Sequence, residues 1–207
     1  MSSLPQARCT PEQYLEMDRK ADYRSEYVNG EILAMAGASR EHNLIVTNLV
    51  REVSLALRGQ PCETYSNDMR VTVSAARYAY PDVVVACGQP QFIDGQLDTL
   101  TNPTVIMEVL SPTTAADDRS WKFAHYRRLD TLMDYVMLSQ FQPFVEHYTR
   151  RDNQWVLTEI AGLEAMLRLP SISCDLPLTA VYERVEFAPD PEMPMLEFRQ
   201  TQTEETE

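Results

Sequence analysis

Glycine and lysine are both scarce in this chain of 207 residues, which has six glycines and only two lysines, Lys20 and Lys122. The glycines are thinly spread and form no Gly-x-Gly-x-x-Gly or Walker pattern, so a phosphate-cradling loop is excluded. No Gly-x-Ser-x-Gly elbow occurs, which removes the common serine-hydrolase arrangement. No apolar run approaches the roughly 18 to 20 residues that a membrane helix needs. The opening MSSLPQARCTPEQ has no apolar core behind a basic start, so a secretory signal is not expected. The four cysteines, Cys9, Cys62, Cys87 and Cys174, form no Cys-x-x-Cys pair and have no histidine near them. That spacing argues against zinc. In a chain with this much core, reduced thiols in a cytoplasmic protein are expected rather than a disulfide framework.

Positive charge is the other shortage. Eighteen basic residues face 31 acidic ones, for a net charge of −13. Such a balance argues against a nucleic-acid coat or a membrane-surface binder, since both need a basic face. The charge is uneven, however. Residues 183–207 hold eight acids against Arg184 and Arg199, which is −6 and leaves −7 for residues 1–182. Residues 119–128 hold Arg119, Lys122, Arg127 and Arg128 with no acid. A nucleic-acid site would have to be local.

What remains is an ordinary globular composition, 44% hydrophobic and 24% charged, with enough length for one core. A single domain is expected over residues 1–188, followed by an acidic, proline-rich, flexible tail over 189–207. Thr10-Pro11-Glu12-Gln13 predicts a capped helix running to about Lys20. Asn29-Gly30 predicts a hairpin turn between strands Tyr23–Val28 and Glu31–Ala36. Ser39 caps a long helix in which Ile45, Leu49, Val53 and Leu57 recur every four residues, ending near Gly59-Gln60-Pro61. Strands are predicted at 69–73, 80–87 and 104–110, and then a helix at 117–129. Further strands follow at 135–138, 144–148, 155–160 and 166–169, with a closing helix near 178–185. Adjacent strands lack intervening helices, so the order predicts a mixed α/β (α+β) layer rather than regular βαβ units.

Two residues break the pattern of their strands. Asp82 stands in YPDVVVAC and Glu108 in TVIMEVLS. A carboxylate inside an apolar strand must be hydrogen-bonded, paired, metal-bound or at an exposed end. With 16 arginines in the chain, an ordinary ion pair accounts for either acid alone. If the two strands pair, the carboxylates stand side by side, an arrangement suited to Mg²⁺ or Mn²⁺.

At these residues the chain resembles the PD-(D/E)XK nuclease superfamily, and more closely the Uma-two family of restriction-endonuclease-like bacterial proteins. The resembling stretches are EYVNGEILAMAGASREHNLI, YPDVVV, PTVIMEVLSPTT and DRSWKFAHYRRLDTLMDYVML, spread over about residues 10–187. The resemblance implies a restriction-endonuclease-like core, with a central mixed β-sheet flanked by helices. It also implies a Mg²⁺- or Mn²⁺-dependent endonuclease acting on DNA, with a homodimer as a further expectation. Asp82 and Glu108 match the metal-binding acids, and the Val109 carbonyl is the additional ligand. One departure stands out: the usual lysine two residues after the second acid is Leu110 here. Lys122, on the following helix, matches the migrated lysine of the Uma-two pattern and would assist catalysis. Glu31 is a candidate for the acid that completes the metal site, His42 matches the family's histidine, and Tyr126 shares the Lys122 helix face. The missing strand lysine and the net charge keep an alternative open, a catalytically inactive nuclease-fold protein acting as a binding or regulatory module.

Overall fold

The computed structural model describes residues 9–188 except Ala36; the expected acidic tail therefore lies outside the described residues. Helix α1 spans Pro11–Lys20, and the predicted capping box is in place, with Thr10 Oγ1 accepting from Gln13 N and Gln13 Oε1 accepting from Thr10 N. Strands β1 (Ser25–Val28) and β2 (Glu31–Ala34) form the hairpin. Its turn puts Asn29 at φ 52° and Gly30 at φ 99°, a pair of left-handed conformations that Asn-Gly tolerates better than any other dipeptide. Helix α2 (Arg40–Ala56) is capped by Ser39, whose Oγ accepts from His42 N.

Next come β3 (Cys62–Ser66), β4 (Arg70–Ser74), β5 (Arg77–Ala79), β6 (Val83–Cys87), β7 (Thr99–Leu100) and β8 (Val105–Leu110). One helical passage then runs from residue 115 to 126: α3 (Ala115–Asp117), a π-helical turn (Asp118–Lys122) and α4 (Phe123–Tyr126). The chain closes with β9 (Asp134–Ser139), β10 (Phe144–Arg151), β11 (Gln154–Ala161), β12 (Met166–Leu169), a 3-10 turn, β13 (Cys174–Pro177) and α5 (Leu178–Val181). The predicted 117–129 helix thus begins earlier, stops earlier and widens in its middle. Strands β3, β5, β7 and β13 have no counterpart in the sequence reading, because they are short and alternate weakly.

Six strands form the central sheet in the order β11-β10-β9-β8-β6-β3. All its pairings are antiparallel except β8–β9, the parallel pair joined by the helical passage. One face packs on α2, α5 and the β12–β13 ribbon through Ile45, Leu49, Met107 and Val136. The other face carries Ile106, Tyr135 and Met137 against Tyr126 and against Val71 and Leu100 of the second sheet, whose order is β2-β1-β5-β4-β7. Alternation along β8 decides which side chain meets which layer. Val105, Met107 and Val109 face α2, while Ile106, Glu108 and Leu110 face the helical passage.

The cysteines require a correction. Antiparallel pairing of β3 with β6 sets Cys62 opposite Cys87, and the two are joined as a disulfide. Twenty-five residues separate them in sequence, so spacing gave no sign of the cross-strand pair. Cys9 and Cys174 are free.

Candidate active site

The β6–β8 register places Val83 opposite Met107. One step further along, Asp82 comes opposite Glu108, so the two strand-breaking acids meet side by side on interior strands, at the end where β6 begins. Asp82 N donates to Glu108 Oε2 at 3.3 Å, and Val109 N donates to Asp82 Oδ2 at 2.8 Å. A strand residue points its N–H and C=O to the same side, so the Val109 carbonyl also faces the Asp82 edge. His42 Nε2 lies 3.2 Å from Asp82 Oδ2. The Ser39 cap that starts α2 also fixes this histidine, and Ser39 Oγ donates to Gln140 Oε1 at 2.6 Å beyond the end of β9. Glu108 is 3% exposed, whereas the Asp82 side chain keeps 19% of its surface open. Asp82 is the accessible member of the pair.

Lys122 arrives from the π turn. Asp118 and Lys122 are the first and last residues of that turn, four apart and so on one face of the helical passage. Lys122 Nζ lies 3.0 Å from Asp118 Oδ1, 3.0 Å from Glu26 Oε1 and 3.5 Å from Glu108 Oε1. The Asp118 contact is an ion pair by proximity, since it misses hydrogen-bond geometry at Oδ1. Glu26 reaches the cluster from β1 and also accepts from Tyr80 N at 3.4 Å. Tyr126 is fully buried, and its hydroxyl has no hydrogen-bond partner among the described residues.

Four carboxylates, on Asp82, Glu108, Glu26 and Asp118, thus share one ammonium and one imidazole. Burial pushes Glu108 well above the ordinary carboxylate range; Lys122 pulls it down, and Asp118, Asp82 and Glu26 push it up again. Asp118 is raised by burial, against the pull of Lys122. For Lys122 burial works against the charge, yet Glu108, Glu26 and Asp118 hold its pKa well above the usual lysine value. The Tyr126 phenol is raised by burial first and then by Glu108, Glu26 and Asp118.

Residues 11–180 match the family model Uma2, described as "Putative restriction endonuclease". The chain belongs to the Uma2 family. Two relatives come from Synechocystis sp. (strain ATCC 27184 / PCC 6803 / Kazusa). "Uncharacterized protein sll1609" is 39% identical over 158 residues, or 75% of this chain and 89% of the relative. "Uncharacterized protein slr1290" is 30% identical over 187 residues, or 89% and 97%. The crystal structure of a "putative nuclease belonging to DUF820" from Anabaena variabilis ATCC 29413 superposes with a TM-score of 0.68 at 16% identity, covering 84% of this chain and 97% of the other. At that identity the likeness concerns the fold alone. It is a mixed α+β fold of nuclease-like form, with sheets flanked by helices.

Within this Uma2 chain, Asp82, Glu108, Lys122 and His42 come together, while Glu31 does not. The hairpin register sets Glu31 opposite Val28 and Leu33 opposite Glu26, so Glu31 shares the face of Glu26 but lies exposed on β2. No described contact joins Glu31 to the cluster. Glu26 and Asp118 are the acids that sequence reasoning missed. Arg119 is paired with Glu146 at 2.6 Å. His147, which had no recognisable partner in the sequence, lies 2.6 Å from Asp134. Leu110 lines a small depression of about 50 Å³ at the ends of β8 and β9, with Ser111, Ala115, Ser139 and Phe141.

No group of three or more His, Cys, Asp or Glu side chains among the described residues is arranged to enclose a metal ion. A closed protein cage is not what Mg²⁺ requires, because it keeps several waters and takes one or two carboxylates. Asp82 and Glu108, with the Val109 carbonyl beside them, are oxygen donors of that kind. The surplus of carboxylates over Lys122 and His42 also suits a divalent cation.

Proposed function

We propose that this protein is a divalent-metal-dependent DNA endonuclease that hydrolyses phosphodiester bonds at Asp82, Glu108 and Lys122. Mg²⁺ or Mn²⁺ would be held by Asp82, Glu108 and the Val109 carbonyl. The observation that carries this reading is the meeting of Asp82 and Glu108 at the start of β6, with Lys122 3.5 Å from Glu108. Membership of the Uma2 family supports the nuclease class. When bound, such an ion polarises a phosphoryl oxygen and lowers the pKa of its water.

The chain's own groups account for the rest. The Val109 N–H and His42 orient Asp82, so its carboxylate is fixed before substrate arrives. Lys122 carries its proton at Nζ beside Glu108, where positive charge offsets the negative charge that develops on a phosphate under attack. Glu26 and Asp118 keep that ammonium charged and aimed. Tyr126, fully buried on the same helical passage, adds a neutral phenol beside these carboxylates.

One observation favours the second reading, a binding module that does not cleave. Leu110 occupies the strand position of the usual lysine, and Lys122 is already engaged by three carboxylates. Incubation with closed-circular DNA and Mg²⁺ or Mn²⁺ separates the two readings. The nuclease reading predicts nicking that EDTA stops, and at least a ~100-fold loss in Asp82→Asn and in folded Lys122→Met. Metal-loaded protein that leaves the DNA intact selects the binding module.

A further inference from the structure

Most arginines among the described residues of this acidic chain are neutralised locally. Eight of the fourteen within the described residues have a carboxylate within 4.0 Å, namely Arg19, Arg24, Arg40, Arg51, Arg70, Arg119, Arg168 and Arg184. Three of the others converge. Arg127 and Arg128, at the end of the helical passage, and Arg150, on β10, line one open depression of about 340 Å³ with Trp155, Asn153 and Asp152. None of the three has a carboxylate of the described residues within ion-pair range. Only Asp152 opposes their charge across the depression.

The depression is organised rather than a loose collection of surface side chains. The Arg150 guanidinium lies 4.9 Å from the Trp155 ring centroid, and Arg127 lies 5.8 Å from that of Phe123. Arg150 Nη2 donates to the carbonyls of Arg127 and Leu129, both at 2.7 Å. Arg150 is thereby locked to the helix end that carries the other two, while its buried Nε has no hydrogen-bond partner among the described residues. With its Nη2 engaged by those carbonyls and its Nε buried, Arg150 contributes fixed positive charge, and the exposed Arg127 and Arg128 supply the free N–H donors for the oxygens of a phosphate.

Position sets this patch apart from the acid cluster. Asp82, Glu108 and Ser139 mark the end where β8 and β9 finish, whereas Arg150 lies past the start of β9, its N–H bonded to Met133 O. The helical passage links the two, with Lys122 one turn before Arg127.

We propose that Arg127, Arg128 and Arg150 form a phosphate-binding patch, separate from the acid cluster, that holds the backbone of DNA. The patch stands on its own geometry, while the choice of DNA as the phosphate carrier rests on the nuclease reading. Two measurements keep these apart. The first follows the arginine side-chain N–H resonances of the full chain by NMR during titration with inorganic phosphate. Shifts confined to Arg127, Arg128 and Arg150 are expected, and an absence of such shifts overturns the patch. The second measures the affinity of a labelled duplex against salt for the wild type, Arg127→Gln/Arg128→Gln and Arg168→Gln, an arginine outside the patch that is paired with Asp175. Each phosphate contact contributes about 0.9 to the slope of log K on log salt, so the double variant should lose about 2 while Arg168→Gln keeps the wild-type slope. An unchanged slope in the double variant overturns the patch and leaves the nuclease reading intact. Phosphate shifts without any duplex binding by the wild type retain the patch and overturn DNA as its ligand.

Discussion

Glu108 lies in a strand whose other residues are all apolar, and its carboxyl is pushed up by burial, then further by Asp118, Asp82 and Glu26, with Lys122 opposing. A carboxyl whose folded pKa lies above its unfolded value takes up protons on folding. The metal-free protein therefore loses stability as pH rises from the ordinary glutamate range, about 4.3, towards the raised folded value. Glu108→Gln mimics the protonated form, so thermal unfolding without metal should show it more stable than wild type by roughly 0.5–2 kcal/mol at neutral pH. Near pH 4 the difference should vanish; a variant less stable at neutral pH would mean that the carboxylate is needed to hold Lys122. Asp82 and Glu108 were legible in the sequence because each interrupts an apolar run. Glu26 was not, since SEYV reads as an ordinary alternating hairpin strand. Asp118 precedes Lys122 by four residues, the spacing of any ordinary helix-surface ion pair, so nothing in the sequence alone marked it as part of a buried cluster.

At the scale of elements, the β3–β6 pair is the feature furthest from what the sequence suggested. Strand β3 was absent from that reading, so the register that brings Cys62 to Cys87 could not be seen. A cross-link closing a loop of 25 residues is worth about 2–4 kcal/mol, chiefly by restricting the unfolded chain. Thiol titration of the denatured, unreduced protein should find Cys9 and Cys174 only. Cys62→Ser/Cys87→Ser should lower stability by that amount while leaving metal affinity unchanged, because Cys62 and Cys87 stand at the far end of β6 from Asp82. Four free thiols in protein purified without reductant would show that the strands pair without the cross-link. By contrast, α1, the β1–β2 hairpin and α2 were legible to within a residue or two at most boundaries. Thr10, Asn29-Gly30 and Ser39 are local signals that act through their own backbone.

On the scale of the whole molecule, the layered arrangement follows from the order of elements, and the site follows from how three layers meet. Sheet β6–β8 supplies Asp82 and Glu108, the second sheet supplies Glu26, α2 supplies His42 and the helical passage supplies Lys122. Only long-range pairing collects them, which is why individual acids could be singled out in sequence but the full cluster could not. The net charge of −13 pointed away from nucleic acid, yet it conceals the arginines beside Trp155 that have no carboxylate partner among the described residues. Whether Asp82 and Glu108 together hold a divalent cation is decided by calorimetric titration of Mn²⁺ into wild type, Asp82→Asn and Glu108→Gln. A single saturable site is expected in wild type, and both substitutions should abolish it. Wild-type binding retained in both variants, or no binding by the wild type even with a non-cleavable duplex present, would contradict that shared site.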